Sequence, residues 1–148
     1  MSRTDMYDWM TTIVLRQKTH EFRKVLYPAS VRRVWFYETS PISAIRYVCE
    51  IGPPVIRPSP SAGEVDTSPG SWLPDDGSIG NAEYNARTGL FANCDYAYPV
   101  LSCVRLKEAI PLARMREDYG IKLAPKGMIY VPEAMREALD LGEQEKVW

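Results

Sequence analysis

The seven residues from Lys18 to Lys24 constrain the fold more than any other part of the sequence. They contain three cations, one carboxylate, a hydroxyl and the only histidine of the chain. Burying such groups without partners is costly, so the segment is either a solvated turn or the polar floor of a pocket. Residues 31–38 follow, and their aromatic and β-branched side chains predict a core strand. A charged segment leading into a buried strand is typical of small β-barrels with polar groups at their mouths, which favours the pocket.

Length and cysteine content bound the class of protein. A chain of 148 residues predicts one domain over residues 1–148, large enough to bury a core without disulfides or metals. Cys49, Cys94 and Cys103 are odd in number and lack a C-x-x-C spacing, and one histidine adds little to a zinc site. We therefore predict no metal, no cofactor and a reducing compartment, either cytoplasm or nucleus. No apolar run is long enough for a spanning helix or a secretory signal, so no membrane partner is predicted.

Charge is distributed unevenly along the chain. Residues 1–57 hold nine Lys/Arg against five Asp/Glu, whereas residues 58–148 hold nine against fourteen. The basic half could attract a phosphate backbone or a nucleotide, or it could be an inert solvated face. The near-neutral total argues against tight non-specific binding of long duplexes.

Hydrophobic periodicity predicts short helices alternating with strands. The first helix carries a stripe at Met6, Trp9, Met10 and Ile13, and residues 19–23 are expected to be extended, with Thr19, Glu21 and Arg23 on one face. We predict helices near 6–17, 81–90, 112–119 and 132–141, strands at 31–38, 45–51, 98–106 and 128–131, and a frayed tail over 142–148. Without long βαβ alternation, this pattern predicts an α+β fold built as a small β-barrel or pseudo-barrel with short peripheral helices.

Residues 57–80 form a Pro/Ser/Gly-rich insertion loop without periodicity. Loops of this length in compact domains are usually functional or disordered. Trp72 lies within it, and its indole could either stack over a ligand or pin the loop to the core.

Three segments together resemble the ASCH domain of the PUA-like superfamily. They are Lys18-Thr19-x-Glu21-x-Arg23, the strand ending in Tyr37-Glu38-Thr39-Ser40-Pro41, and the late segment 124–130. The last also resembles the related EVE domains. The resemblance spans residues 8–131 and implies a barrel with a cleft for nucleic acid, either RNA or a modified nucleobase, floored by Lys18, Glu21 and Arg23.

The residues of this cleft suit a planar, anionic ligand. Arg23 can hold a phosphate or a base edge with two hydrogen bonds, Lys18 supplies a point charge, and Glu21 can accept from base amines. Together with Thr19, they form the predicted ligand site, and Tyr37, Ser40 and Trp72 are candidates for its walls. The same three charged groups could instead form only a salt-bridge network.

Some ASCH-like proteins are amidohydrolases of acylated cytidine, and others are proposed ribonucleases. That resemblance leaves an enzyme open, with Lys18 and Glu21 as the catalytic candidates. The amidohydrolase pattern has a threonine three residues after the lysine, where this chain has Glu21. The sequence leaves the oligomeric state open.

Two further features are assigned ordinary roles. His20 points away from Glu21 and Arg23 by alternation, so we predict a packing or surface residue. Asp75 and Asp76 are adjacent acids in a loop, which indicates a turn.

Overall fold

Six strands carry the fold of this computed structural model, which describes residues 9–57, 72–125 and 130–148. They are β1 (His20–Arg23), β2 (Arg33–Glu38), β3 (Ala44–Ile51), β4 (Val55–Ile56), β5 (Tyr96–Pro111) and β6 (Glu145–Lys146). Hydrogen bonds join them in the order β1-β5-β3-β2, and β4 and β6 also pair with β5. β1, β4 and β6 run antiparallel to β5, and β2 runs antiparallel to β3. The chain is therefore mixed α+β, as the sequence predicts.

Four short helices accompany the strands: α1 (Trp9–Val14), α2 (Asn81–Ala86), α3 (Leu112–Tyr119) and α4 (Glu133–Glu137). α3 follows Pro111, ends at Tyr119 as predicted and is capped by Gly120 with φ 70°, because proline suits a helix start and glycine accepts the left-handed cap. α1 ends before the predicted position, and Arg16 has φ 59° in the turn that follows. α2 ends at Ala86 and is capped by Arg87, also left-handed with φ 58°, before the predicted end near residue 90.

The described chain divides into two compact units, each built from separated segments. The Lys18 unit contains residues 11–32, 51–57 and 72–101, and the carboxy-terminal unit contains residues 9–10, 33–50, 102–125 and 130–148. β5 passes through both, with residues 96–101 in the Lys18 unit and residues 102–111 in the carboxy-terminal unit.

Each unit has its own hydrophobic core. That of the Lys18 unit is built from Phe22, Leu73, Tyr84, Cys94 and Ala97. That of the carboxy-terminal unit is built from Ile45, Val48, Leu106, Ile110, Met115 and Met135. Each strand contributes alternate residues to these cores, because every second side chain of a strand lies on the same face of the sheet.

Two sequence predictions at the C-terminal end are wrong. The tail is not frayed: a 3₁₀ helix at Leu141–Glu143 leads into β6, which pairs with Val104 and Arg105. The predicted strand at 128–131 is not found at Tyr130 and Val131, while residues 128 and 129 lie outside the described part of the chain. The predicted loop over 57–80 is described only at residue 57 and over residues 72–80, and these contain no helix or strand.

Among the described residues, no helix combines the length and the apolar character needed to cross a membrane. Cys49, Cys94 and Cys103 are buried thiols.

Candidate functional site

The turn between α1 and β1 places Lys18 in the interior of its unit. The Thr12 carbonyl oxygen accepts hydrogen bonds from the main-chain N–H groups of Gln17 (2.9 Å) and Lys18 (3.1 Å). The Gln17 carbonyl oxygen accepts one from the N–H of Ile79 at 2.9 Å. These bonds fix the main chain before β1, and Lys18 is left only 4% exposed. A lysine buried to this extent requires polar partners.

Glu21 lies between two cations. Its Oε1 is 2.9 Å from Nη2 of Arg23, and its Oε2 is 3.8 Å from Nζ of Lys18. The exposed fractions of the side chains are 5% for Lys18, 11% for Glu21 and 33% for Arg23. Alternation along β1 brings Glu21 and Arg23 to one face. We call Lys18, Glu21 and Arg23 the charged cluster; it opens to solvent mainly through Arg23.

The charged cluster changes the protonation chemistry of Lys18. Burial lowers the pKa of the Lys18 ammonium below its ordinary value of 10.5; the Glu21 carboxylate opposes this, and Arg23 adds to it. Nζ also lies 5.8 Å and 5.7 Å from the ring centroids of Phe22 and Phe91, within the range of cation–π attraction. The amine of Lys18 therefore loses its proton more readily than that of an exposed lysine.

Two pairs of aromatic rings adjoin the charged cluster. Phe22 and Phe91 pack with centroids 4.3 Å apart, against Gly80 (φ 90°), where a Cβ would lie 2.6 Å from a Phe22 ring carbon and 2.7 Å from a Phe91 ring carbon. Tyr27 stacks on Tyr98 at 4.7 Å, and the Tyr27 N–H donates to the Tyr98 hydroxyl at 2.7 Å. Sequence reasoning misses these rings because their pairings are non-local, and no local pattern indicates them.

One donor of the charged cluster is buried without a partner. Nε of Arg23 has no hydrogen-bond acceptor among the described residues, although Nη2 pairs with Glu21. Oδ1 of Asn81, a residue that is 1% exposed, is the second such atom in the Lys18 unit. Buried polar atoms in proteins are nearly always hydrogen-bonded, so each one left unpaired calls for a physical explanation.

Arg57 is a second buried cation that the sequence analysis does not identify as a site residue. Its Nη1 donates to the Tyr84 carbonyl oxygen at 2.7 Å, and its Nη2 donates to the Ala92 carbonyl oxygen at 2.6 Å. Nε and Nη2 both lie 3.3 Å from Oδ1 of Asp95. The hydrogen bonds of Arg57 therefore hold the segment between α2 and β5 in place, and we assign Arg57 a structural role.

Thr19 and His20 interact with each other beside the charged cluster. Oγ1 of Thr19 lies 2.9 Å from Nδ1 of His20. Burial lowers the pKa of His20, and the nearby charge of Asp76 opposes this. Oδ1 of Asp76 accepts from the N–H of Ser78 at 2.9 Å, which agrees with the predicted turn. His20 is half-buried and packs near the Phe22 ring, as expected of a packing residue.

The three predicted wall residues have different surroundings. Tyr37 and Ser40 belong to the carboxy-terminal unit, where Tyr37 packs against the hydrophobic core and Ser40 is exposed. Trp72 belongs to the Lys18 unit, where its main-chain N–H donates to Oδ1 of Asn85 at 3.1 Å. The Arg87 guanidinium lies 5.3 Å from the centroid of the Trp72 ring. These contacts favour the alternative in which Trp72 pins its loop to the core.

The described residues contain no group of three or more His, Cys, Asp or Glu side chains that could hold a metal ion. Comparison of the chain with models of known families, with curated proteins and with solved structures finds no match. The charged cluster and its surroundings are therefore the features from which a function can be inferred.

Proposed function

We propose that the protein binds nucleic acid, either RNA or a modified nucleobase, and that the charged cluster is its binding site. The proposal also specifies the α+β fold as a PUA-like barrel of the ASCH type. One observation supports it above all others: a nearly buried carboxylate is held between two cations, one of which keeps a buried N–H donor unpaired.

The geometry suits the edge of a base. Glu21 is aligned by Arg23 and Lys18, and a carboxylate in this state accepts hydrogen bonds from exocyclic amines or ring N–H groups. The Arg23 side chain is one-third exposed, so a ligand can reach its guanidinium group from solvent, although Nε itself is buried. A base edge that offers both a donor and an acceptor would use Glu21 and Arg23 together.

A purely structural ion-pair network explains less of this arrangement. Leaving a buried donor such as Nε of Arg23 unsatisfied costs about 1–3 kcal/mol. In a network that serves only stability, this unpaired donor is a loss of free energy with no compensation. In a binding site, the ligand can supply the missing acceptor and so remove the loss.

Calorimetric titration of the protein with N4-acetylcytidine, other modified nucleosides and short RNAs tests the proposal. The informative variant is Arg23→Ala, and the matched control is Arg46→Ala, which removes an arginine of similar exposure (32%) that pairs with the buried Glu38 at 2.7 Å. We expect Arg23→Ala to weaken binding by more than about 1 kcal/mol because a charge-assisted hydrogen bond is lost. Arg46→Ala should leave the affinity unchanged. Equal affinities for the wild type and Arg23→Ala, or no binding of any probe, would reject the proposal.

A hydrolase using the same residues is the second candidate, and the lowered pKa of Lys18 favours it. In its neutral form, Nζ of Lys18 can take a proton from water as the water oxygen bonds to the acyl carbon of an acylated base. The C–N bond then breaks, and the exocyclic nitrogen takes that proton back from Lys18. The products are the free base and a carboxylic acid.

Chromatography after incubation with N4-acetylcytidine or a short RNA separates the two candidates, because only turnover leaves a product. For a hydrolase, we expect the rate to rise with pH as Lys18 loses its proton, and Lys18→Met to abolish it. Unchanged substrate after prolonged incubation would leave binding as the function, and turnover that persists in Lys18→Met would reject the assigned base.

A further inference from the structure

The surroundings of Cys94 show where positive charge accumulates in the Lys18 unit. The thiol of Cys94 is buried, and the charges of Lys24, Arg57 and Arg23 all act on it, as does the carboxylate of Asp95. Cys94 and Lys18 also interact electrostatically. Nη1 of Arg87 lies 3.9 Å from Oδ1 of Asp95 in the same neighbourhood. Cations from three separate segments of the chain therefore converge there: residues 18–24, Arg57 and Arg87.

The charges in this neighbourhood do not balance. Among the described residues, five cations (Lys18, Arg23, Lys24, Arg57 and Arg87) face two carboxylates (Glu21 and Asp95), which leaves three positive charges. Charges in partly buried surroundings are poorly screened, so an excess of this kind attracts an anion. A phosphate monoester carries about −1.5 to −2 charges at neutral pH, which would offset at least half of the excess.

Only some of these cations can touch a ligand. Arg57 has a fully buried side chain, and its donors are directed at carbonyl oxygens and Asp95, so it acts only through its field. Arg23 has the unpaired Nε and is one-third exposed. Lys24 is exposed and forms no ion pair within the described residues. Arg23 and Lys24 are adjacent in the sequence and can hold one phosphate between them.

We propose that the ligand of the charged cluster is a nucleotide, bound through its phosphate by Arg23 and Lys24, and not a free nucleoside. This inference rests on the proposed function and narrows its ligand class. The phosphate can be a terminal monoester of a mononucleotide or of an RNA end, or an internal diester of an RNA chain. The three sources share the same chemistry at Arg23 and Lys24.

Calorimetric titration of the full chain with matched probes tests the inference. The probes are inorganic phosphate, N4-acetylcytidine, its 5′-monophosphate, and a pool of short random-sequence RNAs with and without a 5′-phosphate. The variants are Lys24→Gln, which removes the charge at an exposed position, and Lys24→Arg, which restores it. Lys107→Gln is the matched control, because Lys107 is an exposed lysine of the carboxy-terminal unit.

We expect the nucleotide to bind at least about tenfold tighter than the nucleoside, an advantage that falls as salt is raised because it is electrostatic. Lys24→Gln should reduce this advantage to less than about threefold, while Lys24→Arg and Lys107→Gln should retain it. Tighter binding of the RNA pool with a 5′-phosphate than of the pool without it would identify a terminal monoester. Equal affinity for the two pools would identify an internal diester.

The remaining outcomes separate this inference from the proposed function. Equal affinity for nucleoside and nucleotide would overturn the inference and leave the proposed function standing. Binding of inorganic phosphate as tight as that of the nucleotide would support anion recognition and contradict base recognition. The absence of binding by every probe would reject both.

Discussion

Replacing Glu21 by glutamine removes the only carboxylate of the charged cluster while keeping its shape. In the wild type, Glu21 offsets Lys18 at 3.8 Å and Arg23 at 2.9 Å. In Glu21→Gln, two cations would share a nearly buried site with no negative charge between them. The amide can still accept one hydrogen bond, so the loss is mainly electrostatic.

The size of this loss in stability depends on how exposed Lys18 and Arg23 are. Removing one member of a buried ion pair costs about 3–5 kcal/mol, whereas exposed pairs contribute about 0–1 kcal/mol. Lys18 is close to the buried limit, but Arg23 is one-third exposed and is partly screened by water. We therefore expect Glu21→Gln to lower the free energy of unfolding by about 2–4 kcal/mol at pH 7. That corresponds to a fall in melting temperature of roughly 6–12 °C.

Urea denaturation of four proteins measures this effect and identifies its cause: the wild type, Glu21→Gln, Lys18→Met and the double variant. If the cause is the buried charge of Lys18, which loses its Glu21 partner, the cost of Glu21→Gln in the Lys18→Met background should fall by at least about 1 kcal/mol. The control is Glu108→Gln, since the Glu108 side chain is 86% exposed and its pair with Arg114 is 4.0 Å long. The control should change stability by less than about 0.5 kcal/mol. A cost for Glu21→Gln no larger than that of the control would refute the reasoning.

Two further predictions concern buried cations. Burial lowers the pKa of Lys18 in the folded chain below 10.5, so the unfolded chain binds more protons at pH values between the folded pKa and 10.5. Lys18 therefore makes the free energy of unfolding rise with pH through that window. Below the window, Lys18 destabilises the fold. Urea denaturation across that range should show a steeper rise for the wild type than for Lys18→Met, and parallel curves would contradict the burial of the charge. Replacing Arg57 by lysine keeps the charge but cannot reproduce the two hydrogen bonds to main-chain carbonyl oxygens, so we expect a loss of about 3 kcal/mol in the same assay. A loss below about 1 kcal/mol would show that the guanidinium fork is not required.

Local sequence signals predicted the elements whose chemistry is local. Pro111 and Gly120 mark the two ends of α3 because each has a backbone preference that depends little on the rest of the fold. The pairing of Glu21 with Arg23 follows from the two-residue period of an extended chain. The aromatic strand found at Arg33–Glu38 follows from composition in the same way.

The features that the sequence does not predict depend on distant partners. The sequence predicts a frayed tail, yet β6 forms because the edge of β5 offers hydrogen bonds, and the N–H of Val147 donates to the Cys103 carbonyl oxygen at 2.9 Å. The burial of Lys18 depends on a turn closed by Ile79, and the stack of Tyr27 on Tyr98 joins residues 71 positions apart. No local pattern contains these pairings.

The central claim is that the charged cluster receives a ligand containing a base and a phosphate. The most direct test is an amide ¹H–¹⁵N NMR titration of the full chain with the 5′-phosphorylated pool of short RNAs. We predict saturable shifts at residues 18–24 and 94–95, which are lost in Arg23→Ala and retained in Arg46→Ala. Saturable shifts confined to the carboxy-terminal unit, or no saturable shift at any residue, would contradict the account.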